Sequence, residues 1–269
     1  SFMEYVTLGR TNLMVSRSSL GTKLLQDVSE ADAVEILNTA YDGGINFFDT
    51  SSAYSDVEKK LGKAIYSKRK NVIISSGTKA SLGKDAICDV ENSLDNLNID
   101  FIDIYHISSE EYLPIPGSDD GLYNEMLKFR RDGKIKFIGL TTHNISVANE
   151  AIESGLYDVV RYPINIFSSD EELELIKKAE KSDIGLSAIK TLCSGKIKNI
   201  PLAFGFLRQF ENLVSVWGAR NIDEINKLIY FESNPPTIDD KFKEELQELK
   251  ISSNLTIYLS CLVLLLLAV

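Results

Sequence analysis

The segment FFDTSSAYSDVEKKLG, residues 47–62, ends an apolar run on Asp49, places Tyr54 five positions later and Glu58 four beyond that. Lys79 closes the next apolar run, NVIISSGTK. A phenol, an ammonium group and a carboxylate are the parts of a proton donor. Tyrosine has an ordinary pKa of about 10, so donation near neutrality needs a cation to stabilise the phenolate, and a carboxylate keeps that cation charged and in place. For Asp49 the simpler alternative is capping of the loop that follows its strand. Glu58 opens a helix-period segment, where an acid caps the helix or complements its dipole.

Composition narrows what such a group could serve. The chain has 269 residues, 44% of them hydrophobic, enough for one large α/β barrel or two ordinary domains. A formal net charge of −10 and a pI near 4.9, with no basic stripe, exclude a nucleic-acid partner. Cys88, Cys193 and Cys261 have neither disulfide nor metal-ligand spacing, so they read as ordinary buried thiols in a reducing compartment, with no metal expected. The first residues lack the succession of a signal peptide, and a cytoplasmic location is the expectation. From Leu255 the chain reads LTIYLSCLVLLLLAV, too uniformly apolar for an amphipathic surface helix. Its fifteen residues fall short of the roughly 20 that span a bilayer. The favoured reading is a helix packed on the protein or in an oligomer interface; membrane contact through a tail anchor is the alternative.

Eight strand-like runs alternate with eight helix-period segments. The runs are VSRSSLGT, INFFDTS, NVIISSGTK, FIDIYHIS, FIGLTTH, DVVRYPIN, GLSAIKT and LVSVWGA. Strands apolar on both faces and separated by helices imply a parallel sheet covered by helices. Eight units in this length predict a closed barrel over residues 3–250, with 251–269 as an apolar tail. No G-x-G-x-x-G follows the first strand, which weighs against an open dinucleotide fold. In such a barrel the C-terminal strand ends form the working mouth, so Asp49, Lys79, Ser108, Thr141, Arg161, Lys190 and Arg220 are expected to ring it.

Several of these segments together resemble one family. LGRTNLMVSRSSLGT, GINFFDTSSAYSDVEKKLGKAI, ISSGTKA, SLDNLNIDFIDIY, GKIKFIGLTTHN and VWGARNIDEIN are similar to the motifs of the aldo-keto reductases, over nearly the whole chain to about Lys250. The resemblance implies a (β/α)8 TIM barrel with an N-terminal β-hairpin. It also implies reduction of a small-molecule aldehyde or ketone by NADPH, with Tyr54 as proton donor, Lys79 as its activating cation and Asp49 as the lysine's partner. At the family's histidine position the chain carries Ser108. His106, two residues earlier on the same strand face, either compensates or fills the barrel as a buried histidine. His143, in TTHN, reads as a loop-shaping residue.

For the cofactor, the resemblance places Thr141 and Thr142 where the family has a Ser-Asn pair, and Arg161 where it has a glutamine that holds the nicotinamide amide. Leu192 and the following CSGK are expected along the pyrophosphate path. Arg220 and Asn221 precede a helix whose N-terminus suits a phosphate, with arginine suited to a ribose 2′-phosphate. Thr22, Lys190 and Gly218 complete the expected set. The competing reading is a nucleotide-binding barrel acting as a regulatory or interaction module, prompted by Ser108 and Arg161.

Overall fold

The computed structural model describes residues 3–267, with side chains through residue 256. Two short antiparallel strands, β1 (Tyr5–Thr7) and β2 (Met14–Ser16), form the N-terminal hairpin around a 3-10 turn at Gly9–Thr11. Eight parallel strands follow: β3 (Ser18–Gly21), β4 (Phe47–Asp49), β5 (Ile73–Thr78), β6 (Ile102–Ser108), β7 (Ile135–Thr141), β8 (Val159–Pro163), β9 (Gly185–Ile189) and β10 (Leu213–Gly218). They close into a barrel in the order β3 to β10, with β10 paired to both β3 and β9. Each expected strand run contains, or overlaps by most of its length, one of these eight strands.

The helices between them are α1 (Glu30–Asp42), α2 (Val57–Ile65), α3 (Gly83–Leu97), α4 (Leu122–Arg131), α5 (Ile145–Ser154), α6 (Asp170–Lys181), α7 (Ile200–Arg208) and α8 (Ile222–Ser233). Their starts follow local chemistry. Ser29, Asn144, Ser169, Asn199 and Asn221 each accept a backbone N–H of the first turn, and Ser169 with Glu172 forms a full capping box. Past the end of α4, Gly133 takes φ +73°, the left-handed stop that glycine permits without a Cβ penalty.

Strand parity separates two apolar layers. Phe47, Ile104, Val159 and Val214 point into the barrel, where they meet Leu8 and Val15 of the hairpin. The hairpin therefore plugs the floor, at the N-terminal strand ends. The residues between them, such as Phe48, Tyr105 and Leu186, point outward into the larger layer shared with the helices. Polar inward positions near the C-terminal strand ends are left to line the mouth.

A final helix, α9 (Asp240–Leu267), begins by docking Phe242 against Gly205 of α7, where a methyl group would come within 2.7 Å of the phenyl ring. Residue 250 lies inside α9, so the expected boundary between barrel and tail is not a break in the helix. Among the described residues no helix is long and apolar enough to cross a membrane. The expectation for the apolar run from Leu255 concerns side chains that lie mostly outside the described residues.

Candidate active site

Asp49 ends β4 with its backbone carbonyl fixed by Thr22, which donates both its N–H (2.9 Å) and its hydroxyl (3.0 Å). Its carboxylate is buried and forms an ion pair with Arg161 of β8. In the eight-strand order, β4 and β8 stand opposite one another, so the guanidinium crosses the lumen. Arg161 Nε donates to Thr141 Oγ1 at 2.8 Å. The route is open because β5 presents Gly77 there: an added Cβ would lie 3.4 Å from Arg161 Nη2 and 2.9 Å from the His106 carbonyl.

Below this pair lies His106, 1% exposed, its ring laid on Gly139 of β7 so closely that a Cβ there would come within 2.5 Å. Desolvation, and then the nearby Arg161 charge, holds the imidazole well below its usual pKa, so the ring is neutral. Its Nδ1 has no hydrogen-bond partner among the described residues. Both members of the expected pair 106 and 108 do face inward, but at different depths. His106 is sealed in the lumen, whereas Ser108 is half-buried at the strand end, in register with Thr141.

Tyr54 sits in the turn between β4 and α2, anchored by its N–H to the Ser51 carbonyl (3.1 Å). The phenol is half-buried. Burial raises its pKa, the Asp49 carboxylate adds to the rise, and Arg161 opposes it.

Lys79 departs from expectation. It follows β5, is exposed, and makes neither an ion pair nor a hydrogen bond among the described residues. The Asp49–Lys79 pair anticipated from the sequence is replaced by Asp49–Arg161. The cause is local: Thr78 donates to Asp89 of α3 at 2.5 Å and accepts the Ala80 N–H at 2.9 Å, which turns the chain outward just as the buried guanidinium takes the carboxylate. Glu58 lies in the first turn of α2, as expected, and is buried there: it is 2% exposed and accepts from Ser76 of β5 at 3.0 Å. Desolvation raises its carboxyl pKa against those hydrogen bonds.

The expected cofactor residues divide into two groups. At the nicotinamide end, the Arg161 guanidinium is engaged by Asp49 and Thr141, away from the amide-holding role expected of its position. Thr142 is fully buried; its hydroxyl donates to Glu110 (3.2 Å), which also accepts the His143 backbone N–H at 2.7 Å and contacts its ring Nδ1 at 2.7 Å. Glu110, not anticipated from the sequence, thus ties the loop after β6 to the loop after β7.

The phosphate end is more open. The Arg220 side chain is exposed and without a partner among the described residues, and Asn221 caps α8 through the Glu224 N–H at 3.0 Å. The exposed guanidinium at a helix N-terminus fits a phosphate. Against this, Glu224 takes the Arg220 N–H at 2.7 Å, and Asp223 adds a second acid to the same turn. Between the two ends, Lys190, Cys193 and Ser194 all have φ between +50° and +55°, bending the loop past half-buried Leu192. Gly218 ends β10 against Leu24, 2.8 Å from where a Cβ would stand.

The sequence model of the Aldo/keto reductase family matches residues 18–205, more than half of the chain. This chain belongs to the aldo/keto reductase family. It is 28% identical over 213 residues to Aldo-keto reductase YhdN of Bacillus subtilis, covering 72% of this chain and 63% of that protein. It is 29% identical over 218 residues to L-galactose dehydrogenase of Arabidopsis thaliana, covering 72% of this chain and 66% of that one. The chain thus spans slightly less than two thirds of the length of these relatives. Its fold is shared by aldo-keto reductase AKR11C1 from Bacillus halodurans in its holo form, at TM-score 0.79 and 18% identity over 92% of this chain and 96% of that one. An aldo-keto reductase from Klebsiella pneumoniae in complex with NADPH aligns at TM-score 0.77 and 18% identity, over 93% of this chain and 96% of that one.

Proposed function

We propose that this barrel reduces an aldehyde or ketone with NADPH, Tyr54 giving the proton to the carbonyl oxygen. The observation that carries the reading is the half-buried Tyr54 phenol beside a buried charge pair at the C-terminal mouth of the barrel. Family membership, and a structural neighbour crystallised with NADPH, support the cofactor and the reaction class.

NADPH, when bound, supplies the hydride. The chain's own part is to hold both reactants and move the proton. Arg220 and Asn221 with the start of α8 would hold a phosphate, and Lys190, Leu192 and Gly218 would flank the path inward. Thr22, Thr141 and Thr142 brace the mouth. Lys79, the cation expected from the sequence, follows β5 at the same rim. Ser108 offers a hydroxyl where a histidine would reach further, so the substrate oxygen depends chiefly on Tyr54 for its orientation.

A nucleotide-binding module without turnover is the second reading. It is favoured by the engagement of Arg161 with Asp49 and by Ser108 at the histidine position. Titration with NADPH and NADH, followed by turnover on a panel of carbonyls, separates the two. The expected result is NADPH binding with slow turnover that Ser108→His raises about 10-fold, in the range of general acid-base contributions. Binding without turnover in either protein would leave only the module. If Arg220 meets a 2′-phosphate, Arg220→Ala weakens NADPH by about 1.5–3 kcal/mol and leaves NADH nearly unchanged. Equal losses for both nucleotides would make Arg220 a structural residue.

A further inference from the structure

The inference concerns how the turn that carries Tyr54 is held, and it rests on the reductase reading above. Tyr54 lies outside any strand or helix, in the turn between β4 and α2. The residue after it, Ser55, takes φ +49°, a left-handed conformation that a side chain with a Cβ adopts at a cost and keeps only where its surroundings fix it. Such a turn does not aim a phenol by itself. Its two flanks must be held.

Both flanks are held by one strand, β5. On the first side the Thr50 N–H donates to the Ser75 carbonyl at 2.8 Å, and Ser52 gives the Gly77 carbonyl its N–H at 3.1 Å and its hydroxyl at 3.0 Å. On the second side Ser76, the residue between those two carbonyls, donates its hydroxyl at 3.0 Å to Glu58 in the first turn of α2. Glu58 is 2% exposed, and Ser93 and Asn96 of α3 stand against the same carboxylate. Between the flanks, the Tyr54 N–H donates to the Ser51 carbonyl (3.1 Å) and the Tyr54 carbonyl accepts the Val57 N–H (3.0 Å). Three consecutive residues of β5 therefore fix both ends of the span 50–58. A carboxylate buried this far is costly unless hydrogen bonds offset its lost hydration, and what these bonds fix is the helix start next to Tyr54.

We propose that Glu58, bound to Ser76, is the positioning residue that holds Tyr54 in place over the substrate oxygen. It touches neither substrate nor cofactor and moves no proton; its bond to β5 keeps the start of α2 in place and the turn closed. A displacement of about 1 Å at a reacting group can cost about 100-fold in rate. Most of the residues expected to hold NADPH lie after β7 to β10, away from this strap, so cofactor affinity serves as an internal control.

In the full chain, amide hydrogen exchange is followed at Ser52, Tyr54 and Val57, together with kcat, KM, NADPH affinity and urea unfolding. Glu58→Ala is expected to speed exchange at all three amides and to lower kcat, each by about 10-fold or more, the effect of losing a hydrogen bond to a charged group, with NADPH affinity kept within about two-fold. Ser76→Ala moves both the same way by less, because Ser93 and Asn96 remain against the carboxylate. Glu58→Gln keeps an acceptor for the Ser76 hydroxyl and restores most of the protection and of kcat. Ile65→Ala, at the far end of α2 and 2% exposed, lowers the urea midpoint and leaves turn exchange and kcat in place. A kcat that falls in Ile65→Ala as it does in Glu58→Ala follows stability alone and overturns the proposal, and so does unchanged exchange at the three amides in Glu58→Ala. Should Glu58→Ala not fold, Ser76→Ala set against Ile65→Ala decides it. A wild type that turns over no carbonyl, with turn exchange that still follows Glu58, removes the reductase reading and leaves the hold on Tyr54 standing. An active wild type whose exchange and kcat ignore both Glu58 and Ser76 does the reverse.

Discussion

At the scale of single residues, the buried Asp49–Arg161 pair has a definite energetic character. Two charges removed from water recover their desolvation only through each other and their hydrogen bonds, so deleting one partner typically costs about 3–5 kcal/mol. Arg161 was legible in the sequence only as a departure from the family glutamine; its partner was not. The signal that could have found it is Gly77, an inward strand glycine that leaves room in a lumen otherwise filled by side chains. Asp49 and Tyr54 were legible because their spacing spans a strand end and a turn. The Asp49–Lys79 pair expected from the sequence does not form, because spacing along β5 says nothing about the Thr78–Asp89 bond at the strand end or about Arg161 reaching Asp49.

His106 gives a residue-scale prediction with a definite sign. Its folded pKa is depressed by desolvation and by Arg161, so above the unfolded value of about 6.5 the ring is neutral in both states and adds no pH dependence. Below it the unfolded chain binds a proton that the folded barrel refuses, and stability falls as pH drops. Urea unfolding between pH 6.5 and 5 is expected to show a loss approaching 1.4 kcal/mol per pH unit from this group. His106→Gln should flatten that part of the slope. An unchanged slope would mean that His106 is protonated in the folded protein.

At the scale of elements, strand alternation decides what reaches the site. On β6, Ile104, His106 and Ser108 face the lumen while Tyr105 and Ile107 face the helices, so one strand supplies a floor residue, a filler and a rim residue in succession. Gly139 of β7 accommodates the His106 ring, and Gly139→Ala would place a methyl within 2.5 Å of it. That substitution is expected to cost about 1–3 kcal/mol by overpacking, with loss of turnover as the ring is pushed toward Arg161. The double variant Gly139→Ala/His106→Ala should regain part of the stability; if it does not, the methyl clashes elsewhere.

The loop after β9 carries a different kind of information. Cys193 and Ser194 adopt left-handed φ values of +50° and +55°, a conformation that costs a residue bearing a Cβ about 1–2 kcal/mol. Ser194→Gly should therefore stabilise the protein by up to about 1 kcal/mol, measured as a shift in urea midpoint at constant slope. No periodicity announces such a segment. The strands and helices were legible to within a few residues because their apolar patterns are regular, whereas this loop is set by backbone hydrogen bonds from Cys193, Gly195 and Ile197.

At the scale of the whole molecule, the eight-unit count and the family motifs anticipated a closed barrel, and the seam where it closes carries a charge network that no motif marked. Where β10 meets β3, Arg17 donates to the carbonyls of Arg208 (2.9 Å) and Phe210 (3.0 Å) at the end of α7, and to Glu4 at 2.9 Å. Arg208 in turn pairs with Glu232 of α8 at 2.8 Å, and Ser18 of β3 donates to the same carboxylate. The network joins the first strands of the chain to its last two barrel helices, at the floor and away from Tyr54. Glu232 is 4% exposed, so Arg208→Met, which strands its carboxylate, should cost about 3–5 kcal/mol in urea unfolding, and Glu232→Gln less, because Arg208 keeps an ion pair with Glu4 at 3.3 Å. The double variant should cost well below the sum, because both charges leave together. NADPH affinity should stay within about two-fold in all three, since a floor network that only closes the barrel does not reach the mouth; additive losses would show that Arg208 and Glu232 act through separate partners rather than as the clasp of the seam.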